Sequence, residues 1–234
     1  MRNLSGDGMI WRDFSVAVHR TARKKTMSIV IERDGSLAVQ IPSSMPEAQV
    51  INILNQKEYE IFQKRALWQE ANREHITRQY LSGQSFLYLG KSYLLSIVQG
   101  QKRHLIFRNS TFFLSADAPN PKSDFIRFYK RQAKIKIAER LELLRPQISR
   151  MPNKVQIKEM PTRWGSCTPQ GNVYFNWRCV MTPIFVLDYL IVHEVTHLVY
   201  PDHSREFWLR VSEILPDYTY AKDWLKNNGV RTEL

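Results

Sequence analysis

The feature that most constrains this chain is a nearly all-apolar segment, "LDYLIVHEVTHLVY" at 187–200, which also carries two histidines and a glutamate. Thr182 and Pro183 precede it as a capping hydroxyl and a first-position proline, and Pro201 follows, so we predict a helix from about 184 to 200. A helix that is apolar nearly all round is buried. Burying imidazoles and a carboxylate costs free energy unless something pairs with them.

A metal ion supplies the missing partner. His193 and His197 are one helical turn apart, so their rings project from one face and can bind one cation. Glu194 is rotated by about 100° from His193 around the helix axis, which places its carboxylate beside the ion without making it a ligand. There it can accept a proton from water, which is the physical content of the H-E-x-x-H pattern. The segment therefore predicts a metal site with Glu194 as general base.

The third ligand is expected from beyond the helix. Pro201 breaks the helix, while Asp202 and Ser204 are residues that cap a new one, so the chain can turn and return His203 to the same ion. Three protein ligands and one water form the open arrangement of a catalytic zinc site. Three imidazoles favour Zn²⁺, although another divalent transition metal can occupy such a site in vitro. The chemistry that follows is hydrolysis by metal-activated water.

Patterns elsewhere in the chain predict an α+β fold. Three turn signals mark β-hairpins, at Asp34-Gly35, Gly90-Lys91 and Asn109-Ser110. Helices are predicted at about 46–80 and 123–145, the second with Ser123 as its N-cap, and strands at 155–160 and 172–177. The sequence shows no internal repeat. The loop "APNPKS" (118–123) divides it into a β-rich region with one long helix, 1–120, and a metal-binding catalytic region, 121–234.

Composition constrains the partners and the compartment. The net charge of +12 favours anionic partners, so nucleic-acid association is one expectation and a basic but inert surface is the other. No apolar run is long enough to span a membrane, and "MRNLSGDGMIWRDF" lacks a signal-peptide core, so we expect a cytoplasmic protein. Cys167 and Cys179 are expected to be thiols, and their spacing is wrong for a CxxC motif.

The segments "RWGSC" (163–167), "NWR" (176–178), "LDYLIVHEVTHLVYPDHSREFW" (187–208) and "LPDY" (215–218) resemble the YgjP-like metallopeptidase family, small zincins related to the SprT-like and WLM proteases. The resemblance implies His193, His197 and His203 as ligands and Glu194 as catalytic base. It also implies a zincin-like core, in which a small sheet packs on the active-site helix and a second helix follows the third ligand. The usual "HELAH" is "HEVTH" here, and neither change affects a ligand.

The resemblance leaves the substrate open. The core implies a zinc-dependent metallopeptidase. A family member described as a UTP pyrophosphatase suggests a metal-dependent nucleotide pyrophosphohydrolase instead, and SprT-like relatives cleave proteins crosslinked to DNA. The third hypothesis is a non-catalytic nucleic-acid-binding protein with a structural zinc. A fourth protein ligand would favour that hypothesis, and an open position would count against it.

The segment "TRWGSC" is the candidate for substrate binding. An edge strand beside the metal can align an extended peptide by backbone pairing, and Trp164, Gly165 and Ser166 are suited to this, with Gly165 allowing close approach. Arg163 can bind a carboxylate or phosphate or stabilise an oxyanion. The alternative is that Arg163 and Trp164 pack beneath the site.

Two aspartates are candidates for orienting a ligand histidine, Asp188 and Asp217, and the sequence does not select between them.

Overall fold

The computed structural model describes residues 7–22, 26–31, 36–72, 78–160 and 163–234. The chain forms two compact units, Met1–His75 and Ile76–Leu234. The sequence placed the boundary at 120/121 instead. That loop lies inside the second unit, because the helix that follows it packs on the sheet that precedes it through Phe86, Phe112 and Phe125.

The first unit contains a four-stranded sheet and two helices. Its elements are β1 (Asp7–Trp11), β2 (Phe14–Thr21), β3 (Ser28–Ile31), β4 (Leu37–Pro42), α1 (Glu47–Gln56) and α2 (Glu58–Asn72). The sheet order is β1-β2-β4-β3, with a parallel central pair and an antiparallel hairpin on each side. The hairpin predicted around Asp34-Gly35 is confirmed by the β3–β4 pairing, although the turn itself lies outside the described residues. The single helix predicted at 46–80 is interrupted at Lys57, and its second part, α2, is described as far as Asn72.

The second unit begins with a sheet of the same topology. Its elements are β5 (Ser85–Tyr88), β6 (Lys91–Val98), β7 (Leu105–Arg108), β8 (Thr111–Ser115) and α3 (Pro121–Leu144). The order is β5-β6-β8-β7, again with a parallel centre and antiparallel flanks, followed by a helix. The predicted hairpins at 90–91 and 109–110 are both confirmed. The prediction of no internal repeat was wrong for the topology. The two sheets share their pattern of strand pairing but not their side chains, so the sequence does not reveal the repeat.

A third sheet and three helices complete the second unit. They are β9 (Lys154–Lys158), β10 (Gly165–Cys167), β11 (Asn172–Asn176), α4 (Ile184–Thr196), α5 (Arg205–Ile214) and α6 (Tyr218–Asn228). The sheet order is β10-β11-β9, in which β11 is antiparallel to β10 and parallel to β9. A 3₁₀ turn at Trp177–Met181 joins β11 to α4.

The β5–β6 turn fixes the start of α4. The amides of Leu89 and Gly90 donate to the carbonyls of Val180 and Met181, at 2.9 and 3.1 Å. Gly90 has a φ of +78°, and a Cβ there would lie within 2.9 Å of three atoms of Pro183. The turn can press this closely on the helix start only because Gly90 has no side chain.

The predicted caps of two helices were wrong. Asn120, rather than Ser123, caps α3, because its Oδ1 accepts from the amide of Ser123 and Pro121 occupies the first helical position. Thr182 does not cap α4, because its hydroxyl donates back to the carbonyl of Cys179 at 2.7 Å.

Ten of the thirteen residues of α4 are buried, as its apolar character predicts. None of the helices in the described ranges has the length and apolar character needed to cross a membrane. The fold is α+β, with a small sheet packed on a buried central helix, which fits a zincin-like core.

An ion pair ties α4 to α3. The guanidinium of Arg140 donates to both carboxylate oxygens of Asp188, at 2.6 and 2.7 Å, and the Asp188 side chain is 11% exposed.

We expect Asp188→Asn to lower the free energy of unfolding by about 2–3 kcal/mol, because it leaves a mostly buried guanidinium without its charge partner. Urea unfolding of the full chain measures this. The control is Glu142→Gln, which breaks the exposed bidentate pair with Arg145 and should leave stability unchanged. Equal stability of the two variants would contradict the prediction.

Candidate metal centre

Three histidines predicted from the sequence converge at the C-terminal end of α4. One ligand atom of each of His193, His197 and His203 lies within 4.8 Å of the others. Their ring centroids are separated by 4.9, 5.0 and 4.7 Å, and the Nε2 atoms of His193 and His203 are 3.2 Å apart. Of the three, only His203 is exposed. The structure thus brings the three side chains to one point.

The chain after α4 folds back to make this convergence possible. Helix α4 ends at Thr196, four residues before the predicted end, because the backbone tightens into turns in which the amides of Val199 and Tyr200 both donate to Thr196. This returns the carbonyl of Tyr200 to the Nδ1 of His197, at 3.0 Å. Helix α5 then starts at the predicted cap, where the Oγ of Ser204 accepts from the amide of Phe207.

Groups that the sequence analysis did not identify contact the rings of His193 and His197. The Nδ1 of His193 lies 3.5 Å from the hydroxyl of Tyr189, and the Nδ1 of His197 contacts the Tyr200 carbonyl. Because both Nδ1 atoms have partners, the Nε2 atoms are the nitrogens that can bind a metal ion. Tyr189 precedes His193 by four residues, so helical spacing is the signal that would have identified it.

The two aspartates considered for this role do not perform it. Asp188 is paired with Arg140 instead, because its carboxylate faces α3 rather than the histidines. Asp217 is exposed at the start of α6 and makes no side-chain cap there.

A buried aromatic ring lies against the three imidazoles. Phe207 is fully buried, and its ring centroid is 5.0, 4.5 and 4.9 Å from those of His193, His197 and His203. Burial, with contributions from His197 and His203, lowers the pKa of His193 to about 3. The ring is therefore neutral at pH 7, the form whose nitrogen has a free lone pair.

Glu194 is buried between α4 and β10. Burial raises the pKa of its carboxyl to about 8, and the guanidinium of Arg163 acts in the opposite direction. A Cβ at Gly165 would lie 2.5 Å from the Oε1 of Glu194. The carboxylate can occupy this place only because residue 165 is glycine. The close approach of a substrate predicted for Gly165 stays a prediction.

Strand β10 is the edge of its sheet among the described strands. Backbone bonds to β11 flank it, from the amide of Thr168 to the carbonyl of Asn172 and from the amide of Asn176 to the carbonyl of Trp164. Because pairing alternates along an antiparallel strand, the amides and carbonyls of Gly165 and Cys167 point away from β11.

A cleft of about 580 Å³ is lined by residues of β10 and by the three histidines. Arg163 and Ser166 of the predicted substrate-binding segment line it, together with Arg150, which the sequence analysis did not single out. Trp164 is half-buried and packs against the core of the second unit. Buried Asn176 holds this segment by donating to the carbonyls of Met160 and Arg163, at 2.6 and 2.9 Å.

The chemistry and spacing of these donors fit a zinc ion. Neutral imidazoles are common zinc ligands, and bonds of about 2.0–2.1 Å place two donors of a tetrahedral site about 3.3 Å apart. The 3.2 Å between the Nε2 atoms of His193 and His203 matches that spacing. These two nitrogens are each other's hydrogen-bonding partner, and a bound ion would replace that contact.

Comparison with known proteins identifies the family. The sequence matches the YgjP-like metallopeptidase domain over residues 25–228. No curated protein matches it. Among solved structures, the metallopeptidase zymogen of Pyrococcus abyssi abylysin is similar over 40% of this chain and 90% of that chain, with 18% sequence identity and a TM-score of 0.34.

The fold and site define a metallopeptidase-type domain. The chain belongs to the YgjP-like metallopeptidase domain family, whose match covers most of its length. It is therefore a metallohydrolase in general terms, and the family implies a divalent metal, usually zinc.

The contact between Gly165 and Glu194 can be tested by substitution. We expect Gly165→Ala to lower the free energy of unfolding by about 1–3 kcal/mol, because the new methyl group overlaps the buried carboxylate side chain. Urea unfolding provides the measurement. In a Glu194→Ala background the overlapping atoms are gone, so the same exchange should cost much less. An equal cost in both backgrounds would contradict the contact.

Proposed function

We propose that this chain is a zinc-dependent metallopeptidase in which His193, His197 and His203 hold the metal and Glu194 is the general base. The observation that carries the proposal is the convergence of three imidazole donors beside a buried carboxylate, against an edge strand. Within the described residues the cluster has three protein donors, which supports an open position rather than a closed structural site.

Each residue has a distinct role in the proposed reaction. Bound Zn²⁺ would activate a water molecule and polarise the attacked carbonyl. A cation beside Glu194 favours its carboxylate form and so opposes the effect of burial, and that carboxylate would accept the proton of the water and pass it to the leaving amine. Tyr189 and the Tyr200 carbonyl hold the rings of His193 and His197 by their Nδ1 atoms. Arg163, which lines the cleft, stabilises developing negative charge on the substrate oxygen.

The edge strand supports a polypeptide substrate. The outward amides and carbonyls of Gly165 and Cys167 offer the hydrogen bonds that an added strand needs. They lie on the strand that passes beside Glu194, so a peptide paired there runs past the proposed base. Extended backbone is the one feature that all polypeptides present, which makes this arrangement tolerant of side-chain sequence.

The arginines support a second candidate, a nucleotide pyrophosphohydrolase. Arg150 and Arg163 are both exposed and line the same cleft, where guanidinium groups can bind phosphate oxygens. The same pair can instead select peptides with acidic side chains. Association with nucleic acid, expected from the net charge of +12, stays a prediction.

Replacing the proposed base separates binding from turnover. We expect Glu194→Gln to keep the zinc content of the wild-type protein while its rate of hydrolysis falls by about 10²–10⁴-fold, because the amide cannot accept the proton. Metal analysis and hydrolysis of an unfolded protein substrate measure the two quantities. Glu206→Gln, an exposed exchange at the start of α5, is the matched control and should retain full activity. Undiminished turnover in Glu194→Gln would overturn the mechanism.

A paired substrate assay decides between the two reactions. The zinc-loaded protein is given an unfolded protein mixture and, separately, a panel of nucleoside triphosphates. We expect new peptide amino groups in the first assay and neither phosphate nor pyrophosphate in the second, because the edge strand matches extended backbone. Peptide cleavage should stop after chelation and return with one equivalent of Zn²⁺. Pyrophosphate release without peptide cleavage would replace the metallopeptidase with the second candidate.

A further inference from the structure

The ring of His203 is held in place differently from the rings of the other two histidines. It lies in the loop between α4 and α5 and is exposed, whereas His193 and His197 are half-buried. Among the described residues, no hydrogen bond holds its Nδ1, although each of the other rings has an Nδ1 partner. Something else must keep the ring in place if it is to act as a ligand.

A stack of aromatic rings provides that support. The indole of Trp208 lies parallel to the His203 ring, with an interplanar angle of 20° and 5.6 Å between centroids. Behind it lies Tyr218, at 18° and 5.4 Å. Tyr189 continues the series, at 19° and 6.4 Å from Tyr218. The rings come from α4, α5, α6 and the loop, so the stack joins three helices to the loop that carries His203.

The stack begins and ends on proposed metal ligands. At one end Trp208 faces His203, and at the other the hydroxyl of Tyr189 meets the Nδ1 of His193. Lys222 covers the middle, with its Nζ 4.2 Å from the Trp208 ring centroid and 5.8 Å from that of Tyr218. A cation over aromatic faces is attracted by their negative charge density and restrains both rings.

We infer that the Trp208–Tyr218 stack is a positioning device that sets the plane of His203 for metal binding, in the place of the usual hydrogen bond to Nδ1. This inference rests on the proposed function. Residues that orient a ligand typically change metal affinity by about 10–100-fold when they are replaced. A flat ring at 208 should preserve the effect, whereas an aliphatic side chain of similar bulk should not.

The test measures Zn²⁺ affinity by competition with a chromophoric chelator, using the full chain. We expect Trp208→Leu to weaken binding by about 10-fold or more and Trp208→Phe to restore most of the loss. Co²⁺ should show a weakened tetrahedral absorption band in Trp208→Leu, and a band close to wild type in Trp208→Phe. Trp224→Leu, at a half-buried tryptophan of α6 away from the histidines, is the matched control and should leave affinity and spectrum unchanged.

A double-mutant cycle links the effect to His203. His203→Ala alone should weaken Zn²⁺ binding, and adding Trp208→Leu to it should cause little further loss, because the ring that the stack orients is already gone. Additive losses, or wild-type affinity in Trp208→Leu, would overturn the inference. So would a loss in Trp208→Phe equal to that in Trp208→Leu.

The outcomes also separate this inference from the proposed function. If His203→Ala binds Zn²⁺ as tightly as the wild type, the proposed ligand set is wrong. If His203→Ala weakens binding but Trp208→Leu does not, the ligand set stands and the stack has no part in it. Should Trp208→Leu fail to fold, Lys222→Gln takes its place. Lys222 is exposed, so this substitution removes the cation from the stack without changing the core. An unchanged Zn²⁺ affinity in Lys222→Gln overturns the inference.

Discussion

The burial of α4 is the constraint on which the rest of the site depends. Because the helix is apolar nearly all round, the second unit closes around it with two sheets and three other helices. The polar groups that it carries into the interior must then find partners. Asp188 finds Arg140, Thr196 bonds the carbonyl of Val192, and the histidines face one another. Glu194 is left with burial that favours its neutral form and the guanidinium of Arg163 to oppose it. A cation held by the histidines, as proposed, would offset the cost of burying that carboxylate.

The small third sheet converts this helix into a cleft. Asn176 ties down Met160 and Arg163, Gly165 lets β10 lie against Glu194, and one side of β10 is unpaired among the described strands. The result is a backbone edge and a carboxylate next to each other, held by contacts that involve no substrate. Pre-organisation of this kind lowers the cost of ordering an extended ligand on binding.

Much of this was predictable because it follows from local spacing. The four-residue interval between His193 and His197, the proline after the helix and the cap at Ser204 each have one simple structural consequence, and the structure brings the three rings together. The hairpins at 90–91 and 109–110 follow from turn residues in the same way.

What could not be predicted depends on contacts between distant segments. The sequence does not reveal the unit boundary at 75/76, because "APNPKS" has a composition more typical of a loop than the residues around 75/76 have. The pairing of Asp188 depends on where α3 lies. The early end of α4 is a local tightening of the backbone at Thr196, which the apolar residues up to Tyr200 do not reveal. The repeated sheet topology is a pattern of backbone pairing, which two unrelated side-chain sequences can share.

Among the described residues, the candidate metal cluster lies in the second unit, although both units contain a sheet of the same topology. Both units have two hairpins joined by a parallel pair, followed by helix. In the first unit the chain goes no further than α2, whereas in the second α3 is followed by a further sheet and three helices. All three histidines, Glu194 and β10 lie in that extension, and so do the rings that stack on His203. The proposed site is therefore built from the segments that follow the four-stranded sheet of the second unit.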